Sequence, residues 1–308
     1  MDIFEDIFTT LNVKGAFYFR TNFSPEWGVN VPDLEQAARF HLVAQGNCFV
    51  KVKGGAYCEI TAGDLVLIPH GSAHTLADSA TSQSYPLEQV MQNSGYQGEG
   101  VLTDGKDNMP GSSQLICGHF TFRTGAEHPL LTALPSMIVV RTACRAKHPL
   151  LDELLMMLKR QVFSADLGAM ASITRLSEIV FIELLRAGIC EDDNLNDIVN
   201  GFKDPKIGRS LQLIHKQPQH YWTVEKLASE VAMSRSRFAK KFQEVIGKAP
   251  MAYLSDWRLQ KALSLLEESH LSVQQVATKI GYQSAAAFTR AFSNKFGVAP
   301  SDCRKLAS

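Results

Sequence analysis

Two stretches in the C-terminal third of the chain repeat each other, and this repeat constrains the fold more than any other feature. Residues 223–250 align with residues 272–300 at an offset of about 50 positions, with one single-residue insertion. The matched pairs are Thr223 and Ser272, Val224 and Val273, Leu227 and Val276, Ala228 and Ala277, Val231 and Ile280, Ser234 and Ser284, Phe238 and Phe288, Phe242 and Phe292, Gly247 and Gly297, and Pro250 and Pro300. Agreement at so many positions indicates two copies of one structural unit.

Each copy predicts a helix-turn-helix. Thr223 and Ser272 are of the residue types that cap the start of a helix. After a tight turn, a second serine cap, Ser234 or Ser284, begins a second helix whose phenylalanines recur at i and i+4 and pack inward. Residues 251–268, between the copies, carry leucines at helical spacing and predict a spacer helix that fixes the separation of the two copies.

Charge is distributed unevenly along the chain. The whole sequence has 31 Lys and Arg residues against 31 Asp and Glu, and is formally neutral. Residues 209–308 contain 15 basic and 7 acidic residues, a net charge of +8, whereas residues 1–208 contain 16 and 24, a net charge of −8. An ordinary solvated surface would account for the charge alone, but not for its recurrence on the second helix of both copies. The pattern indicates binding to double-stranded DNA.

The candidate DNA-contacting residues are the second serine cap of each copy and the face of the second helix opposite the phenylalanines. They are Ser234, Arg235, Ser236, Arg237, Lys240 and Lys241 in the first copy, and Ser284, Ala286, Thr289, Arg290 and Lys295 in the second. Two such helices on one face of DNA are expected roughly 34 Å apart, one turn of the double helix.

The block from Trp222 to Lys305 resembles the AraC/XylS transcriptional regulators. The resemblance is carried by three motifs, Gly281–Ser284, Phe288–Phe292 and Phe296–Pro300. It implies two helix-turn-helix units joined by a long helix and inserted in successive major grooves of promoter DNA. By motif position it implies that Ser236 and Lys240 face the groove in the first unit, and Ala286 and Arg290 in the second.

Alanines at positions 285, 286 and 287 depart from many members of that family. They leave few polar groups for reading bases at the start of the second unit's recognition helix. We therefore expect the second unit to contribute mainly phosphate contacts, with Arg290 as the exception.

Residues 1–135 are rich in strand-forming runs, such as 40–43, 48–52 and 64–68, separated by turns that contain glycine. The polar stretch 79–113 predicts a long loop over the sheet. Residues 63–74 read G-x5-P-x-G-x2-H and resemble the second motif of the cupin β-barrels, which implies an AraC-type regulator with a cupin sensor domain over about residues 10–135.

The first cupin motif, a His-x-His followed by a carboxylate, is largely absent, and only His41 is left near its place. A cupin oxygenase or isomerase needs two histidines and a carboxylate, or three histidines, with open metal positions. The sequence therefore argues against an enzyme, and no catalytic residue is predicted.

A set of histidines and cysteines on or beside the predicted strands offers a candidate metal site of zinc type. Its members are His41, Cys48, His74, Cys117 and His119. The same residues could equally be ordinary core residues around an organic effector. Two sensor hypotheses stay open: control by a small molecule in the barrel, or a metal- or redox-responsive regulator that uses the Cys/His set. No cofactor is certain.

Residues 147–190 predict a hairpin of two amphipathic helices, with Leu151, Leu154, Leu155 and Leu158 among the apolar positions of the first. This hairpin could form a subunit interface, or it could pack on the barrel of its own chain. The acidic, polar residues 191–204 that follow have the composition of a linker.

The sequence thus predicts a multidomain α+β protein with an N-terminal cupin-like β-barrel, a central helical hairpin and a C-terminal all-α domain with two helix-turn-helix units. The predicted boundaries are 1–146 for the sensor domain, 147–190 for the dimerisation hairpin, 191–205 for the linker and 206–308 for the DNA-binding domain. The expected function is sequence-specific transcriptional regulation, as an activator, controlled by a small-molecule effector.

The expected partners are promoter DNA, RNA polymerase and a second copy of the chain. A membrane is excluded as a partner, because no apolar run approaches the roughly 18 residues of a membrane span. The acidic N-terminus lacks the basic start of a secretory signal, and the six cysteines are scattered without a CxxC pair. These features favour the cytoplasm.

Overall fold

The computed structural model describes residues 3–98, 100–105, 109–162, 167–191, 202 and 204–306. Its internal contacts divide the chain into two compact units. The barrel unit comprises Val13–Phe122 and Leu134–Leu195, and the helical unit comprises Met1–Asn12, Arg123–Ala133 and Asn196–Ser308.

The strands of the described residues all belong to the barrel unit. They are β1 (Lys14–Phe23), β2 (Gly28–Val31), β3 (Ala37–Gln45), β4 (Asn47–Val52), β5 (Cys58–Thr61), β6 (Leu65–Ile68), β7 (His74–Ala77), β8 (Tyr85–Pro86), β9 (Val101–Asp104), β10 (Ser113–Thr121) and β11 (Ile138–Val140).

The α-helices of the described residues are distributed over both units. They are α1 (Ile3–Leu11), α2 (Leu87–Ser94), α3 (Pro129–Thr132), α4 (Pro149–Val162), α5 (Ala169–Glu191), α6 (Ile207–Lys216), α7 (Val224–Glu230), α8 (Arg235–Ile246), α9 (Pro250–Glu268), α10 (Val273–Lys279), α11 (Ala285–Phe296) and α12 (Pro300–Leu306), and a 3-10 helix spans Thr142–Lys147. None of the described helices is long and apolar enough to cross a membrane.

Two sheets enclose the core of the barrel unit. The strand order is β11-β6-β3-β10-β1-β9 in the six-stranded sheet and β5-β4-β7-β2-β8 in the five-stranded sheet. Side chains from both sheets, among them Phe23, Val50 and Leu115, form one buried cluster. Strand β3 is buried from Ala37 through Val43 on both of its faces, which explains its nearly continuous apolar sequence.

The hairpin of α4 and α5 covers the outer face of the six-stranded sheet. The rings of Phe120 on β10 and Phe181 on α5 lie 4.7 Å apart between centroids. Gly15 on β1 lies so close to α5 that a Cβ atom there would come within 2.6 Å of Cβ of Ser177. Leu154 and Leu158 of α4 are buried within the unit, so these leucines serve intramolecular packing.

The polar stretch 79–113 is not the long loop that the sequence predicts, because it contains β8, α2 and β9. Leu87, Val90 and Met91 of α2 stand at i, i+3 and i+4 and pack against the barrel core. The polar residues between them hide this short apolar stripe in the sequence. Gly95 ends the helix in the left-handed conformation, with φ of 69°.

The linker predicted over 191–205 falls mostly outside the described residues. Glu191 is the last residue of α5. Phe202 and residues 204–205 are described, and Asp204 accepts hydrogen bonds from the backbone N–H groups of Lys206 and Ile207. It thereby begins the local structure that leads into α6.

Both copies of the repeat form a helix-turn-helix in the helical unit, α7–α8 and α10–α11. The cap hydroxyls accept backbone N–H bonds at the predicted places. The pairs are Thr223 with Lys226, Ser234 with Arg237, Ser272 with Gln275 and Ser284 with Ala287. Gly247 and Gly297 end α8 and α11 in the left-handed conformation, with φ of 77° and 73°.

Two segments that the sequence assigns to the sensor domain pack instead with the C-terminal helices. Asp6 of α1 is 2% exposed and accepts hydrogen bonds from His215 on α6, at 2.9 Å, and from Lys261 on α9. Arg123 pairs with Glu267 and Glu268 near the end of α9. Buried charges require partners, and these partners lie more than 100 positions away in the sequence, where no local pattern can reveal them.

Candidate functional site

The recognition helices α8 and α11 each have a buried and an exposed face. Phe238, Phe242, Phe288 and Phe292 are fully buried on the inner faces. The outer faces carry the predicted groove-facing residues Ser236, Lys240, Ala286 and Arg290, all of which are exposed. The exposed faces are thus available to a partner as large as DNA.

Two basic residues on the outer face of α8 form surface ion pairs. Arg235 binds Glu225 at 2.5 Å and Lys240 lies 3.7 Å from Glu244, and all four side chains are more than half exposed. Such pairs contribute about 0–1 kcal/mol and are readily exchanged for a stronger anion. Arg235 and Lys240 can therefore turn to DNA phosphates at little cost.

Two predicted basic residues are instead anchored within the helical unit. Lys241 binds Asp204 at 2.5 Å, and Lys295 binds both Glu127 and Asp256 at 3.2 Å. The side chain of Lys295 is only 16% exposed. These lysines tie α8 and α11 to neighbouring segments of the helical unit, and the ion pairs of Lys295 leave little of its side chain open to a partner.

The remaining members of the predicted DNA-binding set differ in what they can offer a base. The hydroxyls of Ser234 and Ser284 already cap their helices, and Thr289 is half-buried. Arg237 is exposed, and its planar guanidinium can donate two parallel hydrogen bonds to one partner. Ala286 is exposed but has only a methyl group, which can contact a thymine methyl and no hydrogen-bonding edge.

Three of the predicted metal-site residues contact one another inside the barrel. His41 Nδ1 lies 3.0 Å from Cys117 Sγ, and His41 Nε2 lies 2.8 Å from His74 Nε2. His74 Nδ1 lies 2.8 Å from the carbonyl oxygen of Ser72. A carbonyl can only accept, so His74 Nδ1 donates to Ser72, and the neutral His74 accepts at Nε2.

The hydrogen bond from His74 to the Ser72 carbonyl fixes which atom carries the proton in each of the other contacts. His41 must donate from Nε2 to His74, which leaves His41 Nδ1 to accept the S–H of Cys117. Burial, then repulsion from His74 in its protonated form and from Arg39, hold the pKa of His41 well below its usual value. Burial and Arg39 likewise lower the pKa of His74 to about 4, against the effect of the Ser72 carbonyl. Both imidazoles are therefore neutral at pH 7.

The arrangement does not fit a single metal ion bound by all three side chains. Cys117 and His74 lie at opposite ends of the His41 ring, so their donor atoms do not converge. Two nitrogens on a tetrahedral zinc ion would be roughly 3.3 Å apart, and these are 2.8 Å apart. Within the described residues, no group of three or more His, Cys, Asp or Glu side chains is arranged to hold a metal.

The other two residues of the predicted metal set lie nearby in the barrel. Cys48 on β4 is fully buried, and burial raises its pKa to about 12. His119 on β10 is half-buried beside Arg39 of β3 in the strand register, and burial together with the Arg39 charge lowers the pKa of His119 to about 4. Burial also raises the pKa of the Cys117 thiol, so Cys48 and Cys117 are both protonated at pH 7.

A cavity of about 90 Å³ lies next to this chain of contacts, and side chains from both sheets and from α2 line it. His41 and Cys117 form one side, and apolar residues such as Val29 and Leu76 form much of the rest. Arg39, which is 7% exposed, also lines the cavity. Sequence reasoning missed Arg39, although a lone arginine within the apolar run of residues 37–43 is the signal that could have found it.

Comparison with known proteins agrees with both units. A family model described as Cupin matches residues 2–190, and a model described as Helix-turn-helix domain matches residues 227–306. A cupin domain joined to paired helix-turn-helix units defines a class of protein, the DNA-binding regulators with an N-terminal cupin domain.

Relatives similar to the full chain have regulatory names. The transcriptional regulator AlkR of Acinetobacter baylyi is 29% identical over 307 residues and covers 99% of both chains. A putative AraC-like transcription regulator of Streptomyces antibioticus is 28% identical, also with 99% of both chains covered. The activator RclR of Escherichia coli, named as specific for RCS, is 28% identical over 87% of this chain and 84% of its own.

This chain belongs to the cupin family through its N-terminal part and is an AraC-type DNA-binding transcriptional regulator. The predicted fold class and the family resemblance are both confirmed.

Proposed function

We propose that this protein activates transcription from specific promoters and that a small molecule in the barrel controls it. The observation that carries the proposal is the pair of exposed recognition helices, α8 and α11, built on identical cap and phenylalanine scaffolds. The name of the RclR relative as an activator supports the sign of regulation. Activation requires contact with RNA polymerase, and a regulator of promoters acts in the cytoplasm, where the chromosome lies.

The recognition helices α8 and α11 contribute different contacts to DNA binding. Arg235 and Arg237, near the start of α8, are exposed and suited to phosphates or guanine edges. Ser236 and Lys240 lie on the same exposed helix. In α11, Arg290 is the exposed side chain that can form a bidentate contact with a guanine.

The barrel serves as a sensor, and no bond-making step is part of the proposal. Its cavity has the apolar walls and few polar groups of a binding site for a small molecule. The metal- or redox-responsive alternative has less support, because the donor atoms of His41, His74 and Cys117 do not converge and both core thiols are protonated. Stoichiometric metal in protein purified without chelators would reverse that preference.

We further propose that the protein is a homodimer and that the outer face of α4 forms the interface. Leu150, Met156 and Met157 are each 49–50% exposed on this helix. Because Leu154 and Leu158 are buried within the unit, replacing them would unfold the barrel unit and not test dimerisation.

The dimer is tested with Met156→Glu combined with Met157→Glu. Both side chains are exposed, so the fold should survive, whereas two charges buried in an apolar interface oppose association. Light scattering should then report half the wild-type mass. Met109→Glu, at a methionine that is 42% exposed elsewhere in the barrel unit, is the matched control. A double variant with wild-type mass contradicts this interface.

The DNA-binding proposal is tested on the full chain by fluorescence anisotropy with promoter fragments over a range of salt concentrations. Affinity should fall steeply with salt, because basic residues displace condensed cations from DNA. Arg235→Ala combined with Arg237→Ala should weaken binding and reduce the slope of log K against log salt by up to about 2. Lys51→Ala combined with Lys53→Ala removes the same charge from the barrel unit and serves as control. Equal losses in the two double variants contradict the proposed interface.

A further inference from the structure

A chain of hydrogen bonds buried in the helical unit joins four of its segments. The hydroxyl oxygen of Tyr253 on α9 lies 2.7 Å from Nε2 of His215 on α6 and 3.0 Å from Nε2 of His128. His215 Nδ1 lies 2.9 Å from Oδ2 of Asp6 on α1, and His128 Nδ1 lies 3.1 Å from the backbone nitrogen of Leu130 in α3. The side chains of Asp6, His128, His215 and Tyr253 are all buried. The chain therefore connects α1 and the residues before α3 to α6 and α9.

The groups at the two ends of this chain fix its proton positions. A backbone N–H can only donate, so His128 Nδ1 accepts from Leu130, and the proton of neutral His128 lies on Nε2 and is donated to Tyr253. An ionised carboxylate can only accept, so His215 Nδ1 donates to Asp6 and His215 Nε2 accepts the Tyr253 hydroxyl. Each contact then joins one donor to one acceptor, with both imidazoles neutral.

A further proton on either histidine breaks this arrangement. On His128 it would lie on Nδ1 and meet the N–H of Leu130, and on His215 it would lie on Nε2 and meet the O–H of Tyr253. Tyr253 cannot donate to His128 instead, because His128 Nε2 already carries a proton. Each protonation thus sets two donors against each other in a buried site, which is unfavourable.

The charged groups around the two histidines act mostly in the same direction. Burial, then repulsion from protonated His215 and from Lys248, hold the pKa of His128 well below its usual value. Burial also lowers the pKa of His215, against the effect of Asp6 and together with Lys261, which itself binds Asp6. The aromatic rings packed against the histidines carry no charge. Both histidines are therefore neutral at pH 7.

The segments that this chain attaches to α6 and α9 are α1 and residues 123–133. The polypeptide passes from α1 into β1 and from β10 into residues 123–133, and β1 pairs with β10. Other anchors of these segments, such as the ion pair of Arg123 with Glu267, contain no histidine. Histidine is the side chain that ordinarily titrates between pH 5 and 8, so in this range the attachment depends on His128 and His215.

We propose that His128 and His215 form a pH-sensitive switch, in which protonation of either one weakens the attachment of α1 and residues 123–133 to α6 and α9. Once released, each histidine regains its ordinary pKa of 6.5, above its value in the attached state. The attachment is therefore complete above pH 6.5 and weakens as the pH falls below it, until the lower pKa is reached. Asp6, whose pKa is lowered from 3.8, has its effect only in stronger acid.

The switch is tested on the full chain by amide hydrogen exchange at pH 7.5 and 5.5, corrected for the intrinsic exchange rates. The opening constant of α1 should rise about tenfold if one histidine takes up a proton on release, and about a hundredfold if both do. Amides of α11, which has no histidine, report unfolding of the whole helical unit and should keep their protection.

Variants assign the effect to the two histidines. His128→Gln and His215→Gln should each leave a rise of at most about tenfold, and the double variant should show none. His270→Gln, at an exposed histidine of the same unit, is the matched control and should keep the wild-type rise. Circular dichroism shows whether each variant is folded.

The proton positions are measured in the wild-type protein, so this part of the test does not depend on the folding of a variant. Nitrogen NMR of labelled histidine at pH 7.5 should find the proton on Nε2 in His128 and on Nδ1 in His215. Four results would overturn the proposal: equal α1 protection at both pH values, parallel loss of protection in α11, a wild-type rise in the folded double variant, or a different proton position on either imidazole.

Discussion

The two helix-turn-helix units have the same scaffold and different outer surfaces. In both, a hydroxyl caps each helix, a phenylalanine pair is fully buried, and a left-handed glycine ends the recognition helix. The start of α8 presents Arg235, Ser236 and Arg237, whereas the start of α11 presents Ala285, Ala286 and Ala287. Packing of the phenylalanine pair requires the same residues on the inner faces of both units, whereas the exposed outer faces can differ in sequence.

The turns of the two units differ as well. Ala232 and Gly281 occupy the same position of the repeat, and both have positive φ, 50° and 87°. The backbone N–H of the next residue bonds the same carbonyl in each, Met233 to Ala228 and Tyr282 to Ala277, both at 2.9 Å. One unit thus makes with alanine the turn that the other makes with glycine.

The largest effect is expected from Gly281→Ala. A Cβ atom at this position would lie 2.6 Å from the carbonyl oxygen of Gln219, and backbone cannot yield as a side-chain end can. Together with the left-handed φ, this should lower the free energy of unfolding of α10 and α11 by about 2–4 kcal/mol. Native-state hydrogen exchange of amides in these helices measures it. Unchanged protection would mean that the second turn tolerates alanine as the first does.

The next effect concerns DNA. Arg290→Ala should cost about 1–3 kcal/mol of binding free energy and relax sequence preference at one base position. Lys240→Ala, at the matching position of the first unit, should cost less and act equally on all sequences, because a lysine presents a point charge to phosphate. Anisotropy with a panel of single-base operator variants distinguishes the two patterns.

Arg186→Ala, on α5 of the barrel unit, is the control for both variants, since its side chain is 61% exposed and pairs only with a neighbouring glutamate among the described ion pairs. Its DNA affinity should stay at the wild-type value. If Arg290→Ala binds operator and random DNA as wild type does, the second unit does not read bases through this residue.

The ion pairs that hold Lys241 of α8 and Lys295 of α11 predict that the stability of these helices depends on pH. Burial alone would raise the pKa of Asp256, but Lys248 and Lys295 outweigh it and lower that pKa, and Lys241 with backbone N–H groups does the same for Asp204. A carboxylate with a lowered pKa stabilises the fold above its unfolded value of 3.8, and this stability is lost as the pH falls through the folded pKa.

Protection of α8 and α11 amides should therefore decline below about pH 4. Asp204→Asn should flatten this decline in α8 and leave α11 as the internal control. Asp256→Asn should flatten it in α11 and also at the end of α8, because Asp256 pairs with both Lys295 and Lys248. A decline of the same steepness in wild type and both variants would assign the acid sensitivity to other groups.

The smallest effect is expected from Ala232→Gly. Glycine relieves the strain of a left-handed alanine but loses more conformational entropy on folding, and the two terms nearly cancel. We expect a gain in the free energy of unfolding of less than about 1 kcal/mol. Urea unfolding followed through protection of α7 and α8 measures it. A loss larger than 1 kcal/mol would show that Ala232 makes stabilising contacts that its exposure does not suggest.

The sequence by itself determined the paired helix-turn-helix units, their caps and buried phenylalanines, and the alternation of short strands that forms the barrel. Each of these rests on local periodicity or on residues within a few positions of one another, so the pattern can be read directly. The short helix α2 was missed because its three apolar residues are too few to stand out in a polar stretch.

Only the tertiary structure decided how distant residues combine. It joined Asp6 to His215 and Lys261, placed Arg39 at the barrel cavity, and aligned Cys117, His41 and His74 so that their donor atoms point along a chain and not toward one ion. It also assigned Leu154 and Leu158 to the interior of the barrel unit. Such contacts depend on how strands and helices come together in space, and a sequence pattern carries no information on which buried side chains meet across a core.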